Sequence, residues 1–300
     1  MRETQRRDPD LRLGLIILGL VSAGFLAFFL LGPDRTIEQA PQSANQTLPG
    51  LLDQLTDAPS RQAVEALRAS APATYAELDV AAKRAIANGE DAAFVSRLLL
   101  EALFAQFRGQ AGTLKAANSD GFQSIIAGLA TGHSALDEDN SPWCEGGQIA
   151  AFLTQNEDEL VPSLLAEFTY GSPQYDWAME WMATILTVAK SAQDRPSRWA
   201  RPGFRDEAIL QEQGLALGSE QWGLALQVAA FANSEGGSYE RMQEVIDGTD
   251  VCALGVAVET VSGRLPSDVR ARIWADLMPE IMVGNTPYVM WRVTDYFFIG

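Results

Sequence analysis

Four arginines fall within eleven residues of the stretch 194–207, DRPSRWARPGFRDE: Arg195, Arg198, Arg201 and Arg205, with Trp199 and Phe204 between them. A guanidinium is a planar fork of donors that matches carboxylate or phosphate, and it stacks on aromatic faces. The chemistry this spacing offers is therefore anion recognition. Pro196, Pro202 and Gly203 oppose helix formation and hold the arginines outward. Three readings follow. The stretch is a solvated link between helices; or it clasps acidic segments such as 137–139 or 157–159, within the chain or between subunits; or it docks an anionic ligand, headgroup or partner protein. On an acidic chain, a concentrated positive patch gives a partner one place to land.

Residues suited to catalysis are sparse. His133 is the only histidine, so any Ser–His–Asp triad or Cys–His pair must use it. It lies in 132–148, GHSALDEDNSPWCEGGQ, a stretch that interrupts the helical pattern, and it reads as a loop or helix-end histidine. There is no G-x-S-x-G elbow, no Ser-x-x-Lys dyad among Lys83, Lys115 and Lys190, and no glycine-rich phosphate loop. Zinc would need three ligands from one histidine and two unclustered cysteines. Asp137, Glu138, Asp139, Asn140 and Ser141 offer oxygens of the kind calcium takes, but an EF-hand loop counted from Asp137 would meet Pro142 and Gln148 where it needs Gly and Glu. The expectation is no catalytic residue, metal or cofactor. A carboxylate pair for glycan cleavage needs only two acids at close range. Glu180, between Met179 and Trp181, and Glu259, in VCALGVAVETV, interrupt apolar helices and are the acids to watch.

Two cysteines, Cys144 and Cys252, are expected to form a disulfide if their compartment oxidises thiols, with two buried free thiols as the alternative. A bridge over that span could add roughly 4–5 kcal/mol in the chain-entropy account.

The elements that position these groups read as helical almost throughout. In 91–108, Phe94, Leu98, Leu99, Ala102, Leu103 and Phe107 follow the i, i+3, i+4 rule. Ser172-Pro173 opens a helix with an N-cap and a first-turn proline, and Trp177, Trp181, Ile185 and Val188 share one side of it. Thr286-Pro287 repeats the device, and Ser219, Thr249 and Ser267 resemble caps. Gly89, Gly132, Gly171, Asn233, Gly248 and Gly263 look like helix closures. No run alternates like a strand, so the predicted fold class is all-α, as a multi-helix bundle or an irregular solenoid-like array. No fixed repeat period supports a known repeat architecture.

The N-terminal end carries the clearest segment. Residues 13–33, LGLIILGLVSAGFLAFFLLGP, hold no charge, and about 20 such residues span a bilayer core. Arg2, Arg6, Arg7 and Arg12 precede them, which places residues 1–12 in the cytoplasm and the rest on the far side. A cleaved signal peptide ending near Ser22-Ala23-Gly24 is the rival, disfavoured because the apolar run continues through Leu31. Gly19, Ala23 and Ala27 recur every four residues, so one face of this helix could pack against a second helix or a second copy. Residues 34–50 read as a flexible linker, and 51–300 as the helical extracytoplasmic domain. Removing the four N-terminal arginines and Glu3, Asp8 and Asp10 from the totals leaves 18 basic and 36 acidic residues after residue 33. Such a surface repels nucleic acid. The scarcity of lysine and abundance of alanine suggest a bacterial source, hence an inner membrane and a periplasmic domain. The C-terminal stretch YVMWRVTDYFFIG, with Trp291, Tyr296, Phe297 and Phe298, either docks in the core or reaches a partner or membrane surface.

The sequence thus leads to a single-pass, membrane-anchored interaction protein that binds another envelope protein or complex. An anchored hydrolase using a carboxylate pair on cell-wall or glycan material is the alternative.

Overall fold

A computed structural model describes residues 50–139, 141–148, 168–220, 247–283 and 292. The anchor 13–33 with Gly19, Ala23 and Ala27, the linker 34–49, the acidic segment 157–159, Asn233, Thr286-Pro287 and the C-terminal aromatics lie outside the described residues. Among those described, no helix is long and apolar enough to cross a membrane.

The chain is all-α. Among the described residues the helices are α1 (Leu51–Gln54), α2 (Ala58–Ser70), α3 (Pro72–Ala87), α4 (Ala92–Gly109), α5 (Ala111–Leu114), α6 (Ser119–Glu138), α7 (Pro173–Asp194), α8 (Phe204–Glu220), α9 (Val251–Arg264) and α10 (Ser267–Met282), with a 3₁₀ turn at Pro142–Cys144. No strand occurs among the described residues, and an isolated antiparallel bridge joins Glu145 to Asp250.

Several starts share one device. The first turn of a helix has amide groups without intrahelical partners, and a short polar side chain just before it can accept from one of them. Asp57 accepts from Ser60 N at 2.7 Å, Asn118 from Gly121 N at 2.7 Å, Ser172 from Tyr175 N at 3.2 Å and Asp250 from Ala253 N at 2.8 Å. The expected caps at Thr249, Ser267 and Ser219 are displaced: Asp250 caps α9, Pro266 precedes α10, and Ser219 lies inside α8. Gly89 and Gly171 adopt φ of +88° and +79°, a conformation glycine reaches without a Cβ penalty. Gly132 and Gly263 close nothing, being inside α6 and α9.

The predicted stripe on α4 is rotated by about one position. Val95, Leu99, Leu100, Leu103, Phe104 and Phe107 are buried, while Phe94, Leu98 and Ala102 pack at the margin. A helix this apolar has more than one candidate face, and its neighbours decide which turns inward.

α6 is the centre of the arrangement. It packs against α7 on one side and α9 on the other, and α7 packs in turn against α2. The α6–α7 seam is antiparallel and built on glycine. Gly121 faces Val188, Gly128 faces Trp181 and Gly132 faces Trp177. A Cβ on Gly128 would sit 2.9 Å from Trp181 Cδ1, and one on Gly132 would fall within the Trp177 ring. The absent side chains admit both indoles to the backbone. Trp181 Nε1 donates to Ile125 O at 2.9 Å and Trp177 Nε1 to Gly128 O at 2.8 Å. The two rings stack with centroids 5.9 Å apart and 13° between planes.

The α6–α9 seam is polar at one end. Trp274 Nε1 donates to Ser262 Oγ (2.9 Å), which donates to Gln123 Oε1 (3.0 Å), and Gln123 Nε2 donates to Glu259 Oε1 (2.9 Å). Every donor in that chain has an acceptor, so the network ties three helices together without an orphaned group.

Candidate functional site

The arginine stretch leaves α7 at Arg195, whose amide closes the helix on Ser191 O at 2.9 Å. Pro196 follows, and a residue before proline is pushed out of helical geometry; Arg195 has φ −140° and ψ 76°. Two bonds then pin the loop to the α5–α6 connection. Ser197 N donates to Ala116 O at 2.8 Å, and Trp199 Nε1 donates to Ala117 O at 2.8 Å. At the far end Gly203 N donates to Asp206 Oδ2 at 3.1 Å. Arg272 of α10 grips Asp206 with two bonds, Nε to Oδ2 at 2.9 Å and Nη2 to Oδ1 at 2.7 Å. Those bonds hold the Asp206 carboxyl below its ordinary pKa against the opposing effect of burial. The 195–203 loop is thus irregular but tied down at its middle and its end.

Its arginines are left outward. Arg195, Arg198, Arg201 and Arg205 are all exposed, and no carboxylate among the described residues lies within ion-pair distance of them. Trp199 is half-buried through its anchoring bond, whereas Phe204 is 79% exposed. Within the chain no clasp onto 137–139 forms: Asp137, Glu138 and Asp139 are exposed and make no ion pair with the loop. Between the loop, the start of α6 and the end of α7 lies a groove of about 450 Å³. It is lined by Asn118 and Gly121 from the start of α6, by Thr187, Val188, Ser191 and Ala192 from the end of α7, and by Arg195 and Ser197 from the loop.

The stretch 132–148 is less irregular than its composition implies. α6 runs on to Glu138, because His133 and Leu136 continue its buried face. His133 is 3% exposed and sits on Gly255 of α9, where a Cβ would collide with the ring. Its Nδ1 has no hydrogen-bond partner among the described residues. Burial pushes its pKa down to about 4, with the charge of Asp250 opposing weakly. It packs in the core between α6 and α9 as a neutral imidazole. After α6, Gly146 N donates to Thr249 O at 2.9 Å, and a disulfide joins Cys144 to Cys252, with Cα atoms 4.9 Å apart. No group of three or more His, Cys, Asp or Glu among the described residues could hold a metal ion.

Glu180 and Glu259 are not brought together. Glu180 is exposed on α7, and Glu259 is occupied by Gln123. A different acidic pair does converge where the starts of α2 and α7 meet. Asp57 Oδ2 and Asp176 Oδ1 are both buried without a partner. Burial would raise Asp57, but the hydrogen bonds from Ser60 and from the Tyr170 hydroxyl together outweigh it and hold that carboxyl low. Asp176 is raised, by burial first and by the charge of Asp57 second. Beside them Tyr175 Oη and Ser60 Oγ share a hydrogen bond of 2.8 Å, and Tyr170 meets Tyr175 edge-on at 5.4 Å. The only trace of this pair in the sequence is an acid at each of two helix starts; the juxtaposition comes from α2 packing on α7.

Comparison with known proteins returns nothing to borrow from: no family model, curated protein or solved structure matches the chain.

Proposed function

We propose that this chain is a membrane-anchored extracytoplasmic helical interaction protein, a scaffold, accessory subunit or assembly factor of an envelope complex. Residues 13–33 hold it in a bacterial inner membrane, residues 1–12 remain in the cytoplasm, and a linker carries the helical domain on the periplasmic side. The observation that supports this reading is the arginine loop. A docking surface needs charge that is exposed, unpaired and held in one geometry, because ordering a mobile loop on binding costs affinity. The loop has Arg195, Arg198 and Arg201 outward on a backbone tied by Trp199, Ser197 and Asp206, and Arg205 is exposed beside it in the first turn of α8. The small-residue face of Gly19, Ala23 and Ala27 would add a second contact, with a partner's membrane helix or another copy.

The test is extraction of the full-length protein from its native membrane in mild detergent, followed by the mass and composition of the particle. A stoichiometric companion is expected, and it should be lost from the Arg198→Glu/Arg201→Glu variant. A companion retained by that variant, or none at all, refutes the reading.

The anchored hydrolase remains the second reading, moved from Glu180 and Glu259 to Asp57 and Asp176. Its support is the pair of buried, unpartnered oxygens and the opposite shifts of the two carboxyls, the pattern that separates an acid from a base. Release of sugars from purified cell-wall glycan, abolished by Asp57→Asn and by Asp176→Asn, would establish it. Inert glycan with wild-type protein would dismiss it.

A further inference from the structure

We infer that the arginine loop and the groove beside it receive an extended acidic segment of a partner protein, one that carries an apolar side chain among its carboxylates. The inference deepens the interaction reading and rests on it.

The groove, at about 450 Å³, is within the range of ligand clefts. Its lining includes the hydroxyls of Thr187, Ser191 and Ser197, which both donate and accept, and the amide of Asn118, whose oxygen already caps Gly121 N and whose NH2 donates. A peptide backbone needs both. Among the described residues Arg195 is the one charged residue lining it, so the side chain it selects is a carboxylate. Outside the groove, Arg198, Arg201 and Arg205 continue the positive charge, and Phe204 stands among them 79% exposed. An exposed phenylalanine amid arginines gives an apolar side chain a contact that a bare headgroup or phosphate would leave unused. The backbone of residues 195–203 spans at most about 30 Å, so roughly nine or ten extended residues would reach Arg195, Arg198 and Arg201.

The shape of the charge favours a peptide over a bilayer. Exposed Asp120, Asp194 and Glu212 lie on α6, α7 and α8, the helices flanking the loop, and the chain beyond residue 33 holds 36 acidic against 18 basic residues. An anionic membrane is a broad plane and would meet this surrounding negative surface along with the loop. A narrow segment meets the loop alone. The pinned backbone means little ordering is left to cost affinity when it binds.

The experiment uses full-length protein in non-ionic detergent and a fluorescein-labelled ten-residue peptide of glutamates and serines with a central phenylalanine. Anisotropy should saturate, and binding should weaken as salt shortens the screening length to about 8 Å at physiological ionic strength. Arg198→Glu/Arg201→Glu, with an unchanged far-ultraviolet spectrum, should bind about tenfold or more weakly, from two surface pairs turned repulsive. Phe204→Ser should weaken the phenylalanine peptide but leave a peptide with serine in its place unaffected. Absent binding, or equal binding by the reversed variant, overturns the inference. So does displacement of the peptide by dihexanoyl phosphatidylglycerol at lower concentration than by unlabelled peptide. If a native companion is still lost on arginine reversal while the peptide fails, the inference falls alone. If the companion is retained, the interaction reading falls with it.

Discussion

The glycine seam between α6 and α7 gives a graded prediction for one substitution type. Gly132→Ala places a methyl within the Trp177 ring, so the indole must leave. That removes its bond to Gly128 O, about 1 kcal/mol net. It disturbs the stack with Trp181, about 0.5–1.5 kcal/mol. Repacking around the intruding methyl costs about 1–3 kcal/mol. Against these, alanine improves helix propensity by about 1 kcal/mol. The expected net loss is about 2–4 kcal/mol. Gly128→Ala, whose Cβ would lie 2.9 Å from Trp181 Cδ1, should lose less, since a small shift of one ring edge relieves it. Gly121→Ala meets Val188 Cγ1 at 2.8 Å and the capping Asn118 Oδ1 at 3.0 Å, and should likewise lose less than Gly132→Ala. Gly112→Ala is the control: it is exposed, nothing lies within 4 Å, and stability should hold or rise slightly. Urea unfolding of the full-length protein, followed by tryptophan fluorescence and far-ultraviolet dichroism, gives the order. A Gly132→Ala variant within about 0.5 kcal/mol of wild type would refute the close approach of these helices.

The remaining predictions concern the disulfide, the histidine and the loop. Cys144 and Cys252 are 108 residues apart, so Cys144→Ala/Cys252→Ala should lose about 2–5 kcal/mol, and alkylation without reductant should find no free thiol. Two alkylated thiols in freshly isolated protein would contradict the bridge. His133 titrates at about 4 in the fold against an ordinary 6.5, so the unfolded chain takes a proton that the fold refuses. Its contribution is whole above about pH 6.5 and lost as pH falls towards 4, to a limit of roughly 3 kcal/mol. His133→Gln should flatten the stability curve over that window, and parallel curves would count against the burial. Trp199→Phe keeps the ring but removes the N–H to Ala117 O, costing about 1 kcal/mol locally. Trypsin should then cut after Arg198 faster, and an unaltered rate would show that this bond does not hold the loop.

Local rules carried far along this chain. Short-range costs are the same in any fold: proline excludes helix, a polar cap satisfies amides, and glycine takes positive φ. So the all-α class, the start of α7 at Ser172-Pro173, the turns at Gly89 and Gly171 and the non-helical residues 195–203 are all legible without coordinates, although the arginine stretch re-enters helix at Phe204, which puts Arg205 in α8. The burial of Trp177 and Trp181 was likewise written in their spacing.

What escaped depends on partners distant in sequence. Gly132 has the composition of a helix stop, but a missing side chain serves equally to end a helix or to admit a neighbour. Only the indole of Trp177, brought in by α7, distinguishes the two. His133 sits beside acidic, turn-like residues and reads as loop, yet Gly255 of α9 leaves it a berth in the core. Glu259 looked like an interruption of an apolar helix until Gln123 supplied its donor. Asp57 and Asp176 are each unremarkable at a helix start, and they become a coupled pair only because α2 lies against α7. The sequence determined where the backbone is helical, since that is settled within a few residues. The tertiary structure decided which groups are buried and which acids meet, since burial and Coulomb energy depend on atoms that the chain brings together from far apart.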